Sequence, residues 1–220
     1  MSTFSPANFQ FLTDLQANNT REWFGLHKNR YEAAQLEMSA IAQALIHGFA
    51  GIDEAIAQLK AKDTMFRIYR DTRFASDKTP YKTNLSLYLN RGGKKAEMAG
   101  YYFHFQPGAS FVAGGCWLPA SDKLAAIRQE IDYNPAEFRG IVQSPAFANG
   151  LKFGGESLKT SPKGYAADHP EIAFLKMKSF IATRPFTDKA VVSASFIADL
   201  LATCKQIKPL VDFLNRAIAP

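Results

Sequence analysis

The sequence predicts an α+β fold, with an antiparallel sheet meander over about residues 65–118 packed against N-terminal and C-terminal helices. Three observations carry this reading. Apolar residues recur at helical spacing through the first third of the chain, the period changes to alternation near residue 66, and helical spacing returns after residue 120. At 220 residues, with 47% apolar and 21% charged side chains, the chain has an ordinary globular balance. No internal repeat, low-complexity tract or linker composition divides it, so a single α+β domain over residues 1–220 is expected.

Each element has a local reason. Ser5-Pro6 reads as an N-cap followed by proline at the first helical position, and Phe9, Leu12 and Leu15 continue at helical spacing. Asn18-Asn19-Thr20 breaks that helix. Asn19 with Glu22 fits a capping box opening a long helix to about residue 47, with Trp23, Phe24, Tyr31 and Leu45 buried. A turn at Gly48 to Gly51 precedes a short helix carrying Ile52, Ile56 and Leu59.

The strands follow. Phe66 and Ile68 share one parity, and Arg67, Tyr69, Asp71 and Arg73 share the other. In TNLSLYLNR, Leu85, Leu87 and Leu89 face one way and Ser86 and Tyr88 the other. In GYYFHFQ, Tyr101, Phe103 and Phe105 oppose Tyr102, His104 and Gln106. Pro107-Gly108 reverses the chain into SFVAGGCWLP, where Gly114-Gly115 indicates a bulge or a close approach of another element. Helices resume at Ser121, with Leu124, Ile127 and Ile131 on one face, and at Asn134-Pro135, to about Gln143. FGGESLKTSPKGYAADHP reads as a loop, and Asp168 with Glu171 caps a helix to about Lys178. Ser179 to Phe186 reads as a strand that Pro185 confines to an edge. Helices from about Thr187 to Cys204 and from Pro209 to Ala217 finish the chain.

Several function classes are excluded by what is missing. Cys116 and Cys204 are too few and too distant for a disulfide scaffold and suit a reducing compartment. MSTFSPANFQ lacks a basic segment followed by an apolar run, and VVSASFIADLLATC is too short to span a bilayer, so a soluble, cytoplasmic protein is expected, without a membrane partner. The four histidines show no metal spacing, and RGGKK and FGGES match neither a P-loop nor a dinucleotide fingerprint. Neither a metal nor a cofactor is expected. A net charge of +6 permits an anionic partner without requiring one.

The stretch RIYRDTRFASDKTPYK, residues 67 to 82, concentrates charge: five cationic side chains (Arg67, Arg70, Arg73, Lys78, Lys82) and two anionic ones (Asp71, Asp77). Clustered arginines suit bidentate recognition of carboxylate or phosphate. If the strands around 67, 85 and 102 adjoin, their non-apolar parities line one sheet face with Arg67, Tyr69, Asp71, Arg73, Ser86, Tyr88, Tyr102 and His104. Tyr81, Lys78 and Lys82 complete the candidate ligand-binding set. Asp71, Asp77 and His104 are the catalytic candidates, with Asp71 or Asp77 as general base or metal ligand and His104 or Lys78 assisting. Equally, the aspartates neutralise the arginines in a structural ion network, and Ser76-Asp77 with Pro80 shapes a turn. Cys116 could serve as a nucleophile, but after two glycines it reads first as a small buried thiol.

Four blocks of the chain carry a resemblance: NNTREWFGLHKNRY, RIYRDTRFASDKTPYKTNLSLYL, GYYFHFQPGASFVAGGCWLPASDKLAAIRQEI and SPKGYAADHPEIAFLKMKSF. In that order they resemble the blocks of domain-of-unknown-function family 2461, found widely in bacteria and in fungi. The resemblance spans nearly the whole chain and implies a single domain of about this length. It implies no particular activity and transfers no catalytic residue. Its most recognisable polar block falls on Arg67, Arg70, Asp71, Arg73, Phe74, Asp77, Lys78, Pro80, Tyr81 and Lys82. Family-like positions nearby are Arg21, Trp23, Phe24, Lys28 and Tyr31, with Gly114, Gly115, Trp117 and Pro119.

The expected function is binding of an anionic, phosphate- or carboxylate-bearing small molecule in a basic, aromatic-edged pocket on a sheet face. The alternatives are a hydrolase- or transferase-type enzyme using Asp71 or Asp77 with the arginines, and a nucleic-acid-binding or protein-interaction module, nucleic acid being the less favoured partner. The sequence leaves the oligomeric state open.

Overall fold

In the computed structural model, which describes residues 3–218, helices α1 (Pro6–Ala17), α2 (Arg21–Leu26), α3 (Lys28–Gly48), α4 (Glu54–Ala57) and α5 (Ala61–Thr64) come first. Strands β1 (Leu85–Leu89), β2 (Gly100–Phe105) and β3 (Ser110–Cys116) follow. Then come α6 (Ser121–Tyr133), α7 (Pro135–Val142), α8 (Pro145–Ala148), β4 (Lys152–Gly154), α9 (Ile172–Leu175), β5 (Phe180–Phe186), α10 (Asp188–Val191) and α11 (Phe196–Ile218). The fold is α+β. The five strands form one antiparallel sheet in the order β1-β2-β3-β5-β4, packed against N-terminal and C-terminal helices. Among the described residues, no helix is long and apolar enough to cross a membrane.

The chain divides into two compact units. The first comprises Met1–Leu89, Tyr102–Val112 and Pro185–Leu201. Its core is aromatic where the N-terminal segment meets the sheet: Phe4 stacks on Phe105 at 5.1 Å and meets Phe9 edge-on at 4.8 Å, and Phe105 meets Phe196 at 6.0 Å. Helix α3 buries Ala34, Met38, Ile41 and Leu45 at helical spacing. Gly48 closes the helix against Leu201, whose Cδ1 would lie 2.3 Å from any added Cβ.

The second unit comprises Asn90–Tyr101, Ala113–Arg184 and Ala202–Pro220. Phe138 of α7 is its centre, with the rings of Phe174 and Phe213 each 5.1 Å away and Phe153 at 5.9 Å. Buried Asn215 brackets the backbone of Ala99, accepting from its N–H at 2.9 Å and donating to its carbonyl at 3.2 Å. The close approach expected at Gly114-Gly115 is present. A Cβ on Gly114 would meet Ile207 of α11 at 2.3 Å, and Gly115, at φ +135°, lies against the Phe180 carbonyl, 2.0 Å from where a Cβ would sit.

Several elements depart from expectation. The helix expected from Asn19 to about residue 47 is two helices that break at His27 (φ −115°, ψ 19°), and its cap is Thr20, whose hydroxyl accepts from Trp23 N–H at 3.2 Å. The helix expected to reach Lys178 stops at Leu175, because residues 176–178 pair with 156–158: Leu158 N donates to Lys176 O at 2.7 Å and Lys178 N to Glu156 O at 2.6 Å. Strand β4 lies in part of the segment read as loop. Strand β5 is not at the sheet's edge, yet its pairing with β4 ends at Lys152↔Thr183, two residues before Pro185. Proline falls where that side of the strand is unpaired by β4. Finally, α11 runs unbroken through Pro209. An interior proline costs about 3 kcal/mol, and the buried stripe Leu200, Cys204, Ile207, Leu210, Val211 and Leu214 offsets it.

Candidate functional site

Residues 67–82 form a hairpin-like loop rather than a full strand. Its neck is closed by the antiparallel bridge Tyr69↔Tyr81, with Arg70 N donating to Pro80 O at 2.9 Å and Lys82 N to Ile68 O at 2.8 Å. The first unit's helices hold it from behind. Tyr81 stacks on Phe24 at 4.0 Å, and Tyr69 lies 5.4 Å from Tyr81 and meets the same Phe24 at 6.0 Å. Asn19 is a bracket instead of the expected cap: its Nδ2 donates to Tyr81 O at 3.0 Å and its Oδ1 accepts from Tyr81 N at 3.1 Å. The Tyr31 hydroxyl is hydrogen-bonded to the Ile68 backbone, and burial raises its pKa.

Within the loop, the carboxylates are spoken for. Asp71 accepts from Arg73 Nε at 3.0 Å and Nη2 at 2.6 Å, and also from Arg73 N at 3.2 Å. Asp77 accepts from Arg70 Nη1 at 2.5 Å, from Thr79 N at 2.9 Å and from the Thr79 hydroxyl at 2.9 Å. Arg70 also donates to Thr79 Oγ1. The Lys78 ammonium donates to Thr72 O at 2.9 Å. These donors favour the ionised carboxylates. Arg73 holds Asp71 below the usual carboxylate range, and the Thr79 amide, then Arg70, hold Asp77 down to about 2. A carboxylate held so low is a weak base near neutral pH.

The sheet face carries a second polar cluster. Ser86 hydrogen-bonds to Tyr102, whose hydroxyl lies 3.0 Å from His104 Nδ1, and His104 Nε2 lies 2.8 Å from Gln106 Oε1. With Gln106 accepting from Nε2, Nδ1 is left to accept from Tyr102. Burial lowers the His104 pKa and raises that of Tyr102, so both are held neutral. Phe111 stacks on His104 at 4.7 Å, and Tyr88 is half-buried on β1.

The expected convergence of 67–73 with this face is only partial, and one parity is corrected. Phe66 was expected inside with Ile68. Instead it meets Tyr102 edge-on at 6.1 Å, with the Lys82 ammonium 5.4 Å from its ring. Phe66 N donates to Ser86 O, but pairing with β1 stops there and the chain bends at Ile68, which is buried. Alternation therefore does not carry across the bend. The structure brings Ser86, Tyr102 and His104 together, joins them to Lys82 through Phe66, and gathers Arg70, Asp71, Arg73, Asp77 and Lys78 in the loop.

A family model described as a conserved hypothetical protein, DUF2461, matches residues 7–213. The chain belongs to this family. No curated protein and no solved structure matches it. The two halves of the DUF2461 polar block thus have different jobs: Tyr81 and Pro80 fasten the neck, while Arg70 to Lys78 form the charged tip. Of the DUF2461-like positions on α2 and α3, Phe24 and Tyr31 support the loop. Arg21 lies close enough to act on the Tyr81 hydroxyl, whereas Lys28 pairs with Glu32 at 3.3 Å. Trp117 is largely exposed in the second unit, and Cys116 is a buried thiol pushed up to about 11. Sequence reasoning gave Asn19 a capping role and missed Thr79 and Phe111. Only Thr79 had a local signal, as the residue two after Asp77 in an Asx turn.

Proposed function

We propose that the protein binds an anionic, phosphate- or carboxylate-bearing ligand through the 67–82 loop. The observation that carries this reading is that both loop carboxylates are already paired inside the loop. Five cationic side chains face two anionic ones, an excess of three positive charges on a fastened scaffold. Arg67 and Arg73 are exposed, and Tyr69 adds an aromatic edge. Lys82, near the Phe66 ring that also meets Tyr102, adds a cation at the neck of the loop. The weak basicity of Asp71 and Asp77 supports binding ahead of acid–base catalysis.

Calorimetric titration with inorganic pyrophosphate tests it, comparing wild type with the double variant Arg67→Ala/Arg73→Ala. Both side chains are exposed, so folding should survive. Loss of two charge-assisted contacts is expected to weaken binding at least about tenfold. Equal affinity in the double variant overturns the assignment to this loop. A wild type that binds neither pyrophosphate, citrate nor a single-stranded oligonucleotide overturns anion binding itself.

One observation favours a second reading, single-stranded nucleic acid. Phe74 is 95% exposed at the loop tip, with the Arg73 guanidinium 5.7 Å from its ring centre. Such a pair suits base stacking, worth about 1–3 kcal/mol per base. Its mark is a Phe74→Ala variant that loses oligonucleotide binding and keeps pyrophosphate binding.

A further inference from the structure

Helix α6 carries Arg128 and Asp132 four residues apart, a spacing at which a cation and an anion on one helix face can pair. Here each is drawn elsewhere. Arg128 Nε donates to the Leu175 carbonyl at 2.7 Å and Nη2 to the Met177 carbonyl at 3.2 Å. Asp132 Oδ1 lies 2.9 Å from His169 Nε2. The other ring nitrogen, Nδ1, accepts from Glu171 N at 3.1 Å, so the imidazole is the neutral Nε2–H tautomer and leaves the Asp132 charge uncancelled.

These two opposite charges line one cleft of about 400 Å3 in the second unit, between a face of α6 and the turn Lys163–Tyr165. Gly164, at φ +94°, makes that turn, which lies in the SPKGYAADHP block. Tyr133 and Tyr165 supply ring surface, and Lys163 is a second, exposed cation. The volume sits at the lower end of small-molecule sites. A simple anion in this cleft would face Asp132, and a simple cation would face Arg128; either apposition is unfavourable at short range. A molecule with both charges meets neither penalty. The guanidinium fork suits a carboxylate, and an ammonium beside a tyrosine ring gains further attraction.

We propose that this cleft binds a small zwitterion of the amino-acid type. Its carboxylate lies on Arg128 and Lys163, its ammonium on Asp132, and its side chain between Tyr133 and Tyr165. The site is independent of the loop in the first unit.

Amide NMR titration of the full chain tests it, with L-phenylalanine, its decarboxylated analogue phenethylamine and its deaminated analogue 3-phenylpropionate. L-Phenylalanine is expected to shift the amides of residues 128–133 and 163–165 saturably, and each single-charge analogue to bind at least about tenfold more weakly. Asp132→Asn keeps an oxygen for His169 Nε2–H while removing the charge. It is expected to weaken L-phenylalanine by a similar factor and leave 3-phenylpropionate no weaker. The proposal is overturned if L-phenylalanine, L-leucine and L-glutamate all leave those amides unmoved, or if 3-phenylpropionate binds wild type as well as L-phenylalanine does.

Discussion

Replacing Asn19 separates two roles that the sequence confuses. As the cap its position suggests, Asn19 would serve α2, and Asn19→Ala would cost about 1 kcal/mol. In the structure its amide instead makes two hydrogen bonds to the backbone of Tyr81, 62 positions away, a residue only 5% exposed. Each bond is worth about 1 kcal/mol net, and truncation also leaves a partly buried N–H and C=O without their partner, so about 2–3 kcal/mol is expected. Thr20→Ala, which removes the actual cap, is the control at about 1 kcal/mol. Asn19→Asp sharpens the contrast. Aspartate is as good a cap as asparagine, but it has no donor for the Tyr81 carbonyl and sets a carboxylate against it. The bracket therefore predicts a clear loss for Asp where a cap predicts none. Urea unfolding at neutral pH reads these differences as midpoint shifts at constant slope. Amide exchange should rise through residues 69–82 in Asn19→Ala and not in Thr20→Ala. The reasoning fails if Asn19→Asp matches wild type, or if Asn19→Ala loses no more than Thr20→Ala.

Other expectations follow from the same geometry. Arg70, with its side chain 26% exposed and several bonds across the loop, and Arg73, 76% exposed and paired with Asp71, should differ in chemical denaturation. Arg70→Ala is expected to cost about 1–2 kcal/mol, and Arg73→Ala to leave the unfolding midpoint close to that of wild type. His104 has its pKa lowered by burial, so below about pH 6.5 the unfolded chain takes up a proton that the folded chain resists, and stability falls with falling pH. His104→Gln should flatten the fall in stability below about pH 6.5, and an unchanged slope rejects this assignment. Asp77 acts in a lower window: its pKa of about 2 lies below the ordinary 3.8, so the stability it contributes persists above that ordinary value and disappears as pH falls through about 2. Asp77→Asn should remove that acid-side loss in pH-dependent unfolding. Gly115→Ala would press a Cβ onto the Phe180 carbonyl at positive φ, and is expected to cost about 3 kcal/mol or more by thermal unfolding.

What the sequence reveals, and what it conceals, divides by range. Alternation in Leu85–Leu89 and Tyr101–Phe105 announces the sheet because each side chain's face follows from its neighbours, and the buried Leu85, Leu87, Leu89, Tyr101, Phe103 and Phe105 bear this out. Gly114-Gly115 announces a close approach because glycine has few other reasons to be doubled in a strand. Asn19 and Asn215 carry no such local mark. Each brackets a backbone segment 62 or 116 positions away, and a capping signal or a mid-helix amide looks the same whether or not a distant chain passes by. The parity of Phe66 fails for a related reason, since period-2 reading assumes a strand that continues and this one bends at Ile68. The charged block lies between these cases. Its composition is plain in the sequence, but the pairing of Asp71 with Arg73 and of Asp77 with Arg70 depends on a loop closed at Tyr69 and Tyr81. Once that closure is known, the charges cease to be an undifferentiated cluster. The acidic groups pair within the loop, and the proposal of an anion site starts from the cationic excess around them.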